Sequence, residues 1–61
     1  MITERERDIL HLLIQGKTNK QIAKELNISS HTVRDHVSSL LRKRGVSTRT
    51  ELVSRHMKNT K

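Results

Sequence analysis

Apolar residues recur along this chain with the period of an α-helix. Between Ser29 and Arg44, one stripe of the helical projection holds Val33, Val37, Leu40 and Leu41. The opposite side holds His31, Arg34, Asp35, Ser38 and Arg42. No segment alternates apolar and polar residues over the length of a β-strand. The pattern predicts an all-α chain in which one helix packs with one face and presents the other to a partner.

Capping signals divide the chain into four predicted helices. Three segments spell the T-x-x-E/Q capping box, in Thr3 with Glu6, Thr18 with Gln21, and Thr48 with Glu51. Ser29 caps the remaining helix, with Thr32 three residues later. Left-handed ends are expected at Gly16, Asn27 and Gly45. These signals predict helices over residues 4–15, 19–26, 30–44 and 49–58, and the short connection between the second and third is typical of a helix-turn-helix.

The predicted core comes mainly from the first three helices. Besides the stripe of the third helix, it comprises Ile9, Leu10, Leu13, Ile14, Ile22, Ala23, Leu26 and Ile28, with Ile2 and Leu12 at its edge. Ala23 has two interpretations. Its single methyl group would let the second and third helices approach closely, or it is simply a filler residue on a helix.

Composition narrows the range of functions. The 61 residues suffice for one domain, residues 1–61, with a small core. Cysteine, proline and aromatic residues are absent, so disulfides and Cys-ligated zinc are excluded and a base-stacking RNA-binding module is disfavoured. The net charge is +7, and residues 31–61 hold eight of the 13 basic residues and two of the six acidic ones. This asymmetry favours a polyanionic partner, although a basic surface that only aids solubility has the same composition.

A membrane partner is not expected. The longest apolar run, residues 12–14, is far shorter than the roughly 20 residues that a spanning helix needs. Charged residues follow Met1 almost immediately, which is unlike a signal peptide. We therefore expect a cytoplasmic chain.

In a helix-turn-helix the first turns of the second helix of the motif read the DNA major groove. Candidate base contacts on the predicted third helix are His31, Arg34, Asp35 and Ser38. The Arg34 guanidinium suits guanine but also suits a phosphate, and His31 suits a base, a phosphate or solvent. Asp35 either accepts from cytosine N4 or pairs with His31 one turn earlier. Ser38 can bond to any base and carries little specificity.

Phosphate contacts are expected around this reading face. Candidates are Thr18, Asn19, Lys20, Thr32, His36, Arg42 and Lys43. The first three stand at the start of the second helix, where free N–H groups and the helix dipole favour an anion. Each of these residues could instead be an ordinary solvated polar residue. Their arrangement as a rim around one face is therefore stronger evidence than any single residue.

Catalytic patterns are absent from the sequence. HExxH, a glycine-rich phosphate loop and a nucleophile elbow do not occur, and His31 and His36 point to different faces. We expect neither an enzyme nor a metal or other cofactor.

The chain closely resembles the LuxR-type DNA-binding domain of quorum-sensing receptors and NarL/FixJ-type response regulators, the group that includes GerE. The resemblance runs from Ile2 to about Met57 through ITERERDIL, GKTNKQIAKELNIS, HTVRDHVSSLLRKRGV and STRTEL. It implies a sequence-specific, double-stranded-DNA-binding domain of a bacterial transcription regulator. A sigma-factor region 4 domain, which reads promoters within RNA polymerase, is the alternative; RKRGV followed by a capped fourth helix favours the LuxR type.

The resemblance also implies an assembly. The fourth helix of the family commonly dimerises, which assigns Val53, His56 and Met57 to a homodimer interface and predicts paired half-sites on DNA. RNA polymerase is a further candidate partner, and an interaction module whose partner binds the fourth helix is a competing interpretation. The family suggests that Glu6 pairs with Arg49. Arg44 departs from the usual Leu and has an inward helical angle, so we expect a looser or solvent-exposed junction there.

Overall fold

Four α-helices account for most of the computed structural model, which describes the backbone of residues 2–59 and the side chains of residues 2–57. They are α1 (Glu4–Ile14), α2 (Asn19–Leu26), α3 (Ser30–Arg44) and α4 (Arg49–Asn59). The fold is all-α, as predicted, and the predicted bounds of α2 and α3 are confirmed. The other two bounds are each wrong by one residue, because Gln15 is the C-cap of α1 and α4 continues to Asn59.

The helix starts follow from the threonine and serine caps. Thr3 and Thr18 form complete capping boxes with Glu6 and Gln21, with hydrogen bonds of 2.9–3.2 Å. The box predicted at Thr48 is only half correct. Thr48 Oγ1 accepts from the Glu51 amide at 3.1 Å, but Glu51 Oε1 accepts from the amide of Ser47 at 3.1 Å.

The turn between α2 and α3 is short because Asn27 reverses the chain in the left-handed conformation, at φ 58°. Asparagine tolerates this region better than most residues. Ser29 then begins α3 by accepting from the Thr32 amide at 3.0 Å, and its hydroxyl lies 2.8 Å from that of Thr32. These two local devices set the crossing of α2 and α3, which forms the most extensive helix pair of the fold.

The core lies where α1 and α2 meet the apolar stripe of α3. Its buried residues are Ile9, Leu10, Leu13, Ile22, Ala23, Val33, Val37, Leu40, Val46 and Leu52. Ile2 and Leu12 are partly buried at its edge, as predicted. Four other predicted members are also only partly buried there, namely Ile14, Leu26, Ile28 and Leu41. Val46 and Leu52 were not predicted, and they bring the α3–α4 connection and α4 into the same core.

Glu6 is the one buried charged residue among those described, with 4% of its surface exposed. Its Oε1 accepts from Lys43 Nζ at 2.8 Å and from the Thr3 amide at 3.0 Å. These bonds, Lys43 first, and one from Ser39 lower the pKa of Glu6 from 4.5 to about 2. The pairing of Glu6 with Arg49 suggested by the family resemblance is therefore wrong. The partner is Lys43, so the carboxylate ties α1 to α3 rather than to α4.

Arg44 is exposed, contrary to the inward direction of its helical angle. Its backbone carbonyl accepts from Arg55 Nη1 at 3.0 Å, so a side chain of α4 satisfies the C-terminal turn of α3. Gly45 follows in the left-handed conformation, at φ 68°, and Val46 returns to the core. The junction is thus solvent-exposed at Arg44, as expected, but it is not loose.

Candidate nucleic-acid interface

The polar face of α3 stands away from the core, as its helical projection predicts. Val33 and Val37 are buried, whereas the four candidate base contacts, His31, Arg34, Asp35 and Ser38, are all exposed. The same helix therefore separates a packing side from a side available to a partner, over its first two to three turns.

Three of these side chains are organised around His31. Arg34 Nη2 lies 3.3 Å from His31 Nδ1, and His31 Nε2 lies 3.8 Å from Asp35 Oδ2. A guanidinium only donates, so Nδ1 must accept and the neutral imidazole carries its proton on Nε2, toward Asp35. The nitrogen-to-oxygen distance exceeds a hydrogen bond, and both groups are well exposed. Ser38 forms no such contact with this cluster.

The start of α2 lies beside the reading face. Asn19 lines a shallow cavity together with Ser30, His31 and Arg34. Lys20 is exposed, while Thr18 uses its hydroxyl for the α2 cap. Three of the predicted phosphate contacts thus stand at the start of a helix, and one of them, Asn19, lies beside His31 and Arg34.

The remaining predicted phosphate contacts lie along α3 and differ in availability. Arg42 is exposed, and Thr32 and His36 are partly buried. Lys43 is directed to Glu6 and holds it at 2.8 Å. An ammonium engaged with a buried carboxylate is a poor phosphate ligand, so the structure argues against the predicted DNA contact of Lys43.

Arg49 is a candidate functional residue whose contact with the start of α2 was not predicted from the sequence. Its Nη1 donates to Asn19 Oδ1 at 2.8 Å, and its Nη2 donates to the Lys17 carbonyl at 3.3 Å. The first residue of α4 is thus bonded to both neighbours of Thr18. No local spacing could have indicated this contact, because Asn19 and Arg49 are 30 residues apart.

The predicted dimer residues occupy one part of α4. Val53 is partly buried and packs against the core, His56 is partly buried, and Met57 is 59% exposed. Met57 is the large apolar residue with the most exposure in the part of the chain described. Among the described helices, none is both long and apolar enough to cross a membrane.

Comparison with known proteins agrees with this geometry. The family model described as bacterial regulatory proteins, luxR family, matches residues 1–57. The chain belongs to the luxR family of bacterial regulatory proteins. The family, whose members include transcription regulators, is one of DNA-binding helix-turn-helix domains rather than of enzymes.

The luxR-family relatives differ in how much of their own length this chain covers. The spore germination protein GerE of Bacillus subtilis is 49% identical over 53 residues, which cover 87% of this chain and 72% of GerE. The nitrate/nitrite response regulator NarP of Escherichia coli is 57% identical over 49 residues, 80% of this chain but 23% of NarP. The chain thus spans about a quarter of the response regulators that it matches.

A solved luxR-family structure has the same fold. The structure of the transcription factor GerE superposes with a TM-score of 0.84 at 38% sequence identity, covering 93% of this chain and 85% of that one. The predicted helix-turn-helix architecture and the predicted role in DNA-binding transcription regulation are confirmed.

Proposed function

We propose that residues 1–61 act as one sequence-specific DNA-binding domain that inserts the first half of α3 into the major groove. One observation carries the proposal: on the exposed face of α3, away from its buried valines, the His31 side chain lies 3.3 Å from that of Arg34 and 3.8 Å from that of Asp35. Together with Ser38 they form the base-reading set.

Phosphate contacts in this proposal come from both sides of the reading face. They are Thr18, Asn19, Lys20, Thr32, His36 and Arg42. The start of α2 offers backbone N–H groups and the positive end of a helix dipole to one phosphate strand. Lys43 is left out, because its ammonium is committed to Glu6.

The proposed active form is a homodimer through Val53, His56 and Met57 of α4. A dimer places two copies of α3 in successive major grooves, about one helical turn of DNA apart. RNA polymerase is proposed as a further partner at promoters, in keeping with a role in transcription regulation.

A salt titration tests the proposal. Duplexes recovered from a random pool by binding to this chain are compared with unselected duplexes of the same length. We expect tighter binding to the selected duplex throughout, with both affinities falling as salt rises because counterions are released from phosphates. Failure to enrich any sequence, or equal affinity for both duplexes at every salt concentration, would contradict specific readout.

A further inference from the structure

We infer that Arg49 positions Asn19 to donate a hydrogen bond to a DNA phosphate, so that the first residue of α4 helps to build the phosphate site at the start of α2. The inference rests on the proposed DNA binding and adds to it a residue outside the helix-turn-helix. Arg49 is a positioning residue here, since it acts through Asn19.

The chemistry of the contact fixes the orientation of the Asn19 amide. Arg49 Nη1 lies 2.8 Å from Asn19 Oδ1, and a guanidinium has donors only. The amide oxygen must therefore face Arg49, and the amide NH₂ group must occupy the other branch. Within the described residues this NH₂ group has no hydrogen-bond partner, and Asn19 lines the cavity shared with Ser30, His31 and Arg34.

Arg49 is itself held in place. Its Nη2 donates to the Lys17 carbonyl at 3.3 Å, and the side chain is partly buried between α4 and the turn that precedes α2. Two contacts on one planar group restrict its rotation, and in turn that of the amide. A charged donor on the amide oxygen also polarises the amide, which strengthens the NH₂ group as a donor.

The site at the start of α2 offers a phosphate only donors. The backbone amide of Gln21 donates to the Thr18 hydroxyl, and that of Ile22 donates to the Thr18 carbonyl. The amides of Asn19 and Lys20 precede them in the first turn of α2, where helix N–H groups have no intrahelical partner and the helix dipole is positive. A phosphate oxygen is the DNA group that such a set of neutral donors matches best.

A double-mutant cycle tests the inference on selected and unselected duplexes. Arg49→Gln should weaken binding to both duplexes about five- to tenfold, as expected for loss of one oriented hydrogen bond. In an Asn19→Ala background the same change should cost less than about twofold, because the group that Arg49 positions is gone. The control is Arg55→Gln, which removes the same charge from α4 but a different contact, with the Arg44 carbonyl, and should change binding less than about twofold.

Three readouts separate positioning from direct contact and from simple unfolding. The salt slope of Arg49→Gln should stay within half a unit of the unsubstituted chain, whereas a direct Arg49–phosphate contact would flatten it by about one. Side-chain amide NMR signals of Asn19 should shift on DNA binding, and shift less in Arg49→Gln. Circular dichroism at the assay temperature should show that every variant compared is folded.

If Arg49→Gln weakens DNA binding equally in the unsubstituted chain and in the Asn19→Ala background, the inference is overturned. A flattened salt slope would replace it by direct phosphate contact. In both cases the unsubstituted chain would still prefer the selected duplex, so failure of this inference is distinct from failure of the proposed DNA binding.

Discussion

His31 links the two charged residues of the reading face. The one-turn spacing of His31 and Asp35 predicts that they are neighbours, and the two side chains do approach, at 3.8 Å. The additional bond from Arg34 to Nδ1 was not predicted, because it depends on the side-chain rotamers rather than on helical spacing alone.

Arg34 and Lys20 should respond differently to substitution. Arg34→Ala should cost about 1–3 kcal/mol on the selected duplex and relax the preference at one base pair. Lys20→Ala should weaken binding to all sequences alike and flatten the salt slope by about one. Affinity for a set of single-base variants of the selected duplex, at several salt concentrations, measures both effects. An equal loss on every sequence for Arg34→Ala would reassign Arg34 to phosphate contact.

Glu6 makes the free energy of unfolding depend on pH. Its pKa is about 2 in the folded chain against an ordinary value of 4.5, so the unfolded chain takes up the proton first on acidification. The stabilisation by its charge is present above about pH 4.5 and is lost as the pH falls toward about 2. Glu6→Gln, which retains a side chain that can complete the capping box, should lower stability at neutral pH by about 1–3 kcal/mol.

Urea denaturation at neutral pH and at about pH 3 measures this effect. The difference between the unsubstituted chain and Glu6→Gln should shrink at the lower pH. Glu4→Gln is the control, because Glu4 is an exposed carboxylate in the same helical turn. A difference between Glu6→Gln and the unsubstituted chain that is independent of pH would contradict the assignment of Lys43 as the partner that lowers the pKa of Glu6.

Helices could be located from sequence to within one residue because their caps are local. Thr3, Thr18 and Ser29 each bond to a backbone amide three residues later, a relation visible in the sequence itself. The partners of Glu6 and Arg49 could not be located in the same way. They depend on how whole helices cross, and several basic residues are equivalent candidates for one carboxylate until the crossing is known.

Ala23 is expected to control the approach of α2 to α3. It is buried, at 7% exposure, in the most extensive helix pair of the fold. Ala23→Leu should lower the free energy of unfolding by about 1–3 kcal/mol through overpacking, and should weaken DNA binding by displacing α3. Lys24→Leu, an exposed neighbour on α2, is the control for added apolar volume. If both variants are equally stable, Ala23 is only a filler residue.

Across the whole molecule, the sequence was sufficient for the order of the helices and for most of the core. It missed Val46 and Leu52, which enter the core because the chain turns back after Gly45 and lays α4 against α1 and α3. This burial follows from the path of the chain. α4 contains few apolar residues, so its sequence shows little helical periodicity from which the burial of Leu52 could be inferred.

Dimerisation through α4 should appear as cooperative binding to paired half-sites. Met57→Gln should reduce affinity for a duplex with two half-sites about tenfold, equivalent to about 1.4 kcal/mol, while leaving a single half-site unaffected. Ser54→Gln, an exposed change on the same helix, is the control. Gel-shift titration of the two duplexes distinguishes these results. An equal loss on single and paired half-sites would place Met57 outside the dimer interface.

The two ends of α3 are held in different ways. At its C-terminal end Lys43 bonds to Glu6, and the Arg44 carbonyl accepts from Arg55. At its other end, His31 bonds to Arg34 and lies 3.8 Å from Asp35, and none of the three side chains bonds to another helix within the described residues. Substitution of exposed residues such as these usually changes the free energy of unfolding by less than about 0.5 kcal/mol. Under the proposed base readout, duplicated copies of such a gene can therefore diverge in the DNA sequences they recognise, one residue at a time, while each intermediate stays folded.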